Sequence, residues 1–75
     1  MAILVYSTPG CSYCRMVMDG LKARNVRFDE YNVASDQRRA EEMVRKSGQM
    51  GVPVTDINGR IIIGFNTSEL ERALK

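Results

Sequence analysis

The chain has no histidine and only two cysteines among its 75 residues. Without an imidazole there is no Ser-His or Cys-His nucleophile pair and no His-ligated metal. Two cysteines cannot build a four-thiolate zinc or iron–sulfur site within one chain. They are Cys11 and Cys14, too close in sequence for a long-range disulfide framework. Long apolar runs are missing too. Those at residues 2–6 and 61–63 fall far short of the ~20 residues that span a bilayer. The start, Met1-Ala2-Ile3-Leu4-Val5-Tyr6, has no basic region and no apolar stretch of signal-peptide length. A cytoplasmic location is therefore expected, where disulfides are mostly transient and catalytic. Eleven Lys and Arg against nine Asp and Glu leave a formal charge of +2. That bias is too weak to argue for nucleic acid or an acidic membrane surface. Repeats, low-complexity tracts and a glycine-rich phosphate loop are absent as well.

What is present reads as one small globular domain over residues 1–75, with 44% hydrophobic and 27% charged residues. A chain this short buries only roughly 60% of the surface its unfolded form exposes, so its core is thin.

Residues 2–6 favour a buried strand, closed by Ser7-Thr8-Pro9-Gly10. Cys14, Val17, Met18 and Leu21 then repeat at helical spacing, predicting a helix from about residue 12 to 24 with Asn25 as its stop. Residues 27–32 alternate, with Phe28 and Glu30 on one side and Arg27, Asp29 and Tyr31 on the other. A second strand is read there. Ser35 or Asp36 can cap a second helix, whose apolar face is Ala40, Met43 and Val44 and whose stop is Gly48. Asn58-Gly59 between the β-favouring runs 52–57 and 60–64 is a strong hairpin signal. A last helix carries Leu70, Ala73 and Leu74. Either Asn66 before Glu69 or Ser68 before Glu71 can start it. The order β-α-β-α-β-β-α predicts an α/β domain: a four-stranded mixed sheet with a right-handed first crossover and three packed helices.

Cys11-Ser12-Tyr13-Cys14 falls where the first loop enters the first helix. Cys11 would face unpaired N–H groups and the positive end of the helix dipole. Both favour thiolate and lower its pKa below the free value of about 8.5. Cys14, one turn in and on the apolar side, is expected to be shielded. The pair then acts in sequence. Cys11 attacks a substrate disulfide, Cys14 attacks the resulting mixed disulfide, and an external reductant resets the oxidised pair. Competing uses are half of a metal site completed by a partner chain, or two inert thiols. A C-x-x-C beside a βαβ pattern favours redox chemistry.

Over nearly its whole length the sequence resembles a glutaredoxin. The resemblance rests on Val5-Tyr6-Ser7-Thr8 before Cys11-Ser12-Tyr13-Cys14, on Gly51-Val52-Pro53-Val54, and on Gly64-Phe65-Asn66 before the last helix. Its details are most similar to small bacterial glutaredoxin-like proteins of YruB type, and next to NrdH-type redoxins that serve ribonucleotide reductase. It implies the thioredoxin-like fold, with strand order 2-1-3-4 and the third strand antiparallel to the first. By sequence alone Pro53 would be trans, as all but about 5–6% of X-Pro bonds are. The resemblance makes it cis, beside the cysteines. Val52 would then pair through its backbone with a bound peptide or glutathione.

Phe65, Asn66 and Thr67 match the segment that meets glutathione's γ-glutamyl carboxylate at a helix N-terminus. Tyr13 would form the rim against which substrate packs. Tyr6 would lie under the site and Met50 along its groove. Asp19, exposed on the first helix, is the weaker candidate for a base serving Cys14.

The resemblance implies a monomer acting on disulfide-containing proteins or glutathione mixed disulfides, with no bound cofactor and glutathione as the candidate co-substrate. Departures from the family pattern bear on the reductant. Ser12 replaces a common proline, Gly51 a common threonine, and Phe65 the second glycine of a common pair. No cation precedes Cys11, so a glutathione carboxylate would need Arg15, Arg38 or Arg39. Thioredoxin reductase is thus the alternative reductant, as for an NrdH-like redoxin. A dimer holding a [2Fe–2S] cluster through one Cys11 per chain plus glutathione is the competing binding-module reading.

Overall fold

The first apolar run becomes strand β1 (Ile3–Ser7) in a computed structural model that describes residues 2–75. Three further strands join it: β2 (Asp29–Asn32), β3 (Val54–Ile57) and β4 (Arg60–Ile63). The helices are α1 (Ser12–Ala23), α2 (Gln37–Ser47) and α3 (Thr67–Leu74). Strand order is β2-β1-β3-β4, with β2 parallel to β1 and the other two pairings antiparallel. This is the thioredoxin-like order 2-1-3-4 that the resemblance implies.

Alternation along β1 divides the core between two faces. Ile3 and Val5 pack with Val17, Leu21, Ile57, Ile62 and Leu70, beneath α1 and α3. Tyr6 packs on the other side with Met43 of α2 and Val54. Because both faces are covered, β1 and β3 are buried almost throughout.

Local signals set the boundaries. Asn25 takes a left-handed φ of 56° after α1, and its N–H reaches the Lys22 carbonyl at 3.0 Å. Asp36, rather than Ser35, caps α2 by accepting the Arg39 N–H at 3.2 Å. Gly48 ends that helix with φ 75°. Asn58 and Gly59, with φ 53° and 92°, form the tight hairpin turn that needs two positive φ values. Asn66, not Ser68, caps α3.

Three expectations are corrected. The second strand begins at Asp29, not residue 27, and Phe28 packs against the core beneath α1 instead. The third begins at Val54, after Pro53, which has no N–H to give a ladder. Val44, expected on the buried face of α2, is 37% exposed, whereas Met43 is 2% exposed. An apolar stripe three residues wide is broader than the strip that α2 buries.

Candidate active site

Register gathers the site at one end of the sheet. Tyr6 lies opposite Val54, and Val54 opposite Ile63. The loop after β1, Pro53 before β3 and Gly64 after β4 therefore share that end. The Gly64 N–H donates to the Pro53 carbonyl at 2.9 Å, joining two of these segments. The Val52–Pro53 peptide is cis.

Gly10, with φ 77°, turns the β1 loop into α1. Cys11 follows as the N-cap, in extended conformation, and its Sγ accepts the Cys14 N–H at 3.1 Å. No acidic residue occupies the first turn. Cys11 is half-buried, whereas Cys14 is 1% exposed. A disulfide joins them, with Cα atoms 5.3 Å apart. One sulfur thus lies within reach of solvent at the positive end of a helix, and the other lies behind it. That asymmetry suits sequential thiol exchange.

The other expected residues fall into two groups. Pro53 is buried, and half-buried Val52 packs against Tyr6, Met43 and Val54, next to the Gly64 turn. Tyr13 is 61% exposed, one residue from the buried Cys14. Phe65 and Asn66 have local structural tasks. The Phe65 ring packs against the core beneath α1 and α3, and Asn66 Oδ1 accepts the Glu69 N–H at 3.1 Å. Thr67 opens α3 and is exposed.

Met50 is absent from the residues lining the groove beside Cys11. It is 82% exposed and borders a shallow apolar depression with Ala40 and Val44 on α2. Beside Cys11, a groove of about 330 Å³ is lined by Gly10, Cys11, Ser12, Arg15, Met16 and Asp19. Among the three arginines considered as carboxylate partners, Arg39 is engaged elsewhere. It stacks 3.8 Å above the Tyr31 ring and pairs with Glu42 at 3.1 Å. Arg38 is exposed on α2, and Arg15 alone lines the Cys11 groove. Among the described residues, no group of three or more His, Cys, Asp or Glu is placed to hold a metal ion.

Sequence reasoning missed a polar cluster under the α2 side of the sheet. The Tyr6 hydroxyl donates to Glu42 and accepts from Lys46 Nζ at 2.8 Å. Lys46 also donates to Asp56 Oδ2 at 2.8 Å, and Asp56 Oδ1 accepts the Gly59 N–H at 2.7 Å. Glu42 and Lys46 stand four residues apart on one helix face, which was the available signal. Their partners come from two different strands, which spacing does not reveal.

Electrostatics follow the contacts. Burial, then the bond to Glu42, raises the Tyr6 phenol pKa. Burial alone would lower Lys46, but its bonds to Asp56 and Tyr6 outweigh that and raise it. The Tyr6 hydrogen bond, aided by Arg39, holds Glu42 below its usual 4.5 despite desolvation. A carboxylate with a depressed folded pKa stabilises the fold above its unfolded pKa, and that share is lost as pH falls through the folded value. Glu42→Gln should therefore flatten part of the acid limb of stability below about pH 4.5. Urea unfolding at pH 6 and pH 3 checks this: the variant should lose less stability between the two than wild type.

Comparison with known proteins agrees with the fold and the cysteine pair. The glutaredoxin family model matches residues 3–62. A glutaredoxin-like 8.6 kDa protein from the rubredoxin operon of Clostridium pasteurianum is 44% identical over 73 residues, covering 97% of each chain. The crystal structure of a mutant of the thioredoxin-like protein BC3987 superposes with a TM-score of 0.91 at 29% identity, covering 96% of this chain and 92% of the other. The glutaredoxin-like NrdH-redoxin of Escherichia coli, described as having a thioredoxin-like activity profile, gives 0.86 at 25% identity, over 96% and 93% of the two chains. The chain belongs to the glutaredoxin family, a family of thiol–disulfide oxidoreductases, with NrdH-like members among its neighbours in sequence and in structure.

Proposed function

We propose that this protein is a cytoplasmic, monomeric dithiol electron carrier that reduces protein disulfides or glutathione mixed disulfides. The observation that carries this reading is the asymmetry of the cysteine pair. Cys11 is half-exposed at the start of α1, its sulfur held by the Cys14 N–H, while Cys14 is buried behind it.

The steps balance. Cys11 thiolate attacks one sulfur of the substrate disulfide, and the other sulfur leaves as a thiolate. Cys14 loses its proton to solvent and attacks the Cys11 sulfur, releasing the second substrate thiolate. Two electrons pass to the substrate, and the Cys11–Cys14 disulfide remains. The Val52 backbone beside Pro53 would align the substrate chain by short strand-like pairing. Tyr13 would form the rim, and the backbone at Phe65, Asn66 and Thr67 would receive a carboxylate at the start of α3.

Recycling by thioredoxin reductase, as in an NrdH-like redoxin, is the second reading. Two observations favour it: no cation stands in residues 7–10, and Arg39 is committed to Tyr31 and Glu42. Oxidised protein should be given NADPH with either thioredoxin reductase or glutathione plus glutathione reductase. NADPH consumption under only the first system is expected for an NrdH-like carrier, and under the second for a glutathione-linked one. Consumption under neither sinks the electron-carrier reading.

A further inference from the structure

We infer that Gln49 is a positioning residue for the exchange reaction: its carboxamide brackets Gly51 and so sets the direction in which the Val52 N–H and C=O are offered to a substrate backbone. This rests on the electron-carrier reading and assigns a residue to the strand-like pairing within it.

The segment between α2 and Pro53 is tied down at both ends. Gly48 closes α2 by donating its N–H to the Val44 carbonyl at 2.8 Å. Ser47 Oγ donates to the Met43 carbonyl at 2.7 Å and accepts the Gln49 N–H at 3.4 Å, which fixes the start of the loop on the last turn of the helix. The Gln49 side chain then spans Met50. Its Nε2 donates to the Gly51 carbonyl at 2.9 Å, and its Oε1 accepts the Gly51 N–H at 2.9 Å. Both polar groups of Gly51 are thus satisfied without a strand partner. On the far side, the Pro53 carbonyl accepts the Gly64 N–H at 2.9 Å. Between these two anchored residues, the Val52 N–H and C=O have no hydrogen-bond partner among the described residues.

Strand geometry supplies the link. In an extended chain the N–H and C=O of one residue point to one edge, and those of the next residue to the opposite edge. A residue before proline is held in that extended region. With the Gly51 edge turned toward Gln49, the Val52 edge faces away from it. The Val52 side chain packs inward against Tyr6, Met43 and Val54, which fixes its rotation. Gly51 belongs to the same device. It has no positive φ, so backbone conformation does not demand a glycine there. A Cβ at position 51, however, would stand 2.8 Å from Gln49 Oε1, so any side chain there pushes the carboxamide off the backbone.

The test uses reduced protein and the 2-thiopyridyl disulfides of three thiols: the capped peptide Ala-Ala-Cys-Ala-Ala, the same peptide N-methylated at every amide, and 2-mercaptoethanol. Cys11 thiolate bonds to the probe's sulfur and thiopyridone leaves, so its release gives the second-order rate constant. Wild type should react faster with the parent peptide than with the methylated one, which cannot donate to Val52. Gln49→Ala should lower that ratio by about two- to tenfold, the range of a single hydrogen bond. The parent peptide should also slow relative to 2-mercaptoethanol, which has no amide. Gly51→Ala should reproduce the loss with Gln49 still present, and the double variant should lose no more than either single one. Additive losses would refute the joint action of Gln49 and Gly51. If Gln49→Ala slows all three probes by one common factor, or leaves the peptide ratio at the wild-type value, the positioning role is refuted. If wild type does not distinguish the two peptides, the pairing at Val52 fails and the role of Gln49 with it, while the dithiol chemistry stands. If wild type reacts with no probe faster than a free thiol does, the electron-carrier reading itself falls.

Discussion

Cys11→Ser should remove all thiol–disulfide exchange, leaving only the uncatalysed rate. A serine hydroxyl is not ionised near neutral pH and forms no disulfide, so neither the mixed disulfide nor the intramolecular one can arise. Structural loss does not explain the effect, because Cys11 is the N-cap of α1 and serine is among the best N-cap residues. The variant should unfold at a urea concentration similar to that of reduced wild type, or higher. Cys14→Ser separates the two steps. It should stop reduction of protein disulfides, since the buried second thiol is missing, while the first attack still proceeds. A trapped mixed disulfide at Cys11, seen as a mass increase on intact protein, is the expected signature. Unchanged reduction of an insulin-type protein disulfide by Cys14→Ser would overturn the assigned roles.

Leu21→Ala should produce the largest loss of stability. Leu21 is 1% exposed and packs in the core formed by Ile3, Val5, Val17, Ile57, Ile62 and Leu70. Its backbone carbonyl also receives the Arg24 and Val26 N–H groups that close α1. Truncating such a leucine costs about 3 kcal/mol, part transfer and part cavity. A small cavity of about 90 Å³ already lies between α1 and α3, bordered by Leu21, Val17, Phe65 and Leu70. Truncation enlarges this space. A domain of this length is stabilised by about 4–11 kcal/mol in total, so the variant loses a large fraction. Its urea midpoint should fall by about 2–3 M, since a small domain changes by about 1 kcal/mol per M. A fall below about 1 M would show that the α1–α3 layer repacks to fill the space.

The readable parts of this chain are those governed by neighbours in sequence. Asp36 and Gly48 bound α2 because cap chemistry is local. Asn58-Gly59 made the hairpin because its two positive φ values are a property of the pair. The cysteine pair was legible for the same reason: a loop ending in Gly10 and a helical stripe starting at Cys14 place one sulfur at the cap and one beneath. Strand order and Pro53 geometry came from resemblance, not from spacing. The Tyr6–Lys46–Asp56 cluster was hidden because its bonded pairs stand 40 and 10 residues apart and each member alone reads as a surface polar group or a core aromatic. Val44 was misplaced because periodicity identifies a face but not where its rim meets water. Phe65 shows the same limit, since one half-buried ring serves a core and borders a site end at once.

The sulfur that caps α1 couples helix order to electron count. With no acidic side chain in the first turn, a Cys11 thiolate would be the one negative charge there. Whatever free energy the helix start gives to that thiolate, the thiolate gives back to the helix start. Oxidation converts the charged acceptor into a neutral sulfur and weakens the bond to the Cys14 N–H. The first turn of α1 should therefore be best ordered in the reduced protein, and the same energy should draw electrons toward it. Amide exchange at Cys14 would then track the redox state of the pair, and the protein would carry a backbone reporter of its own charge of electrons.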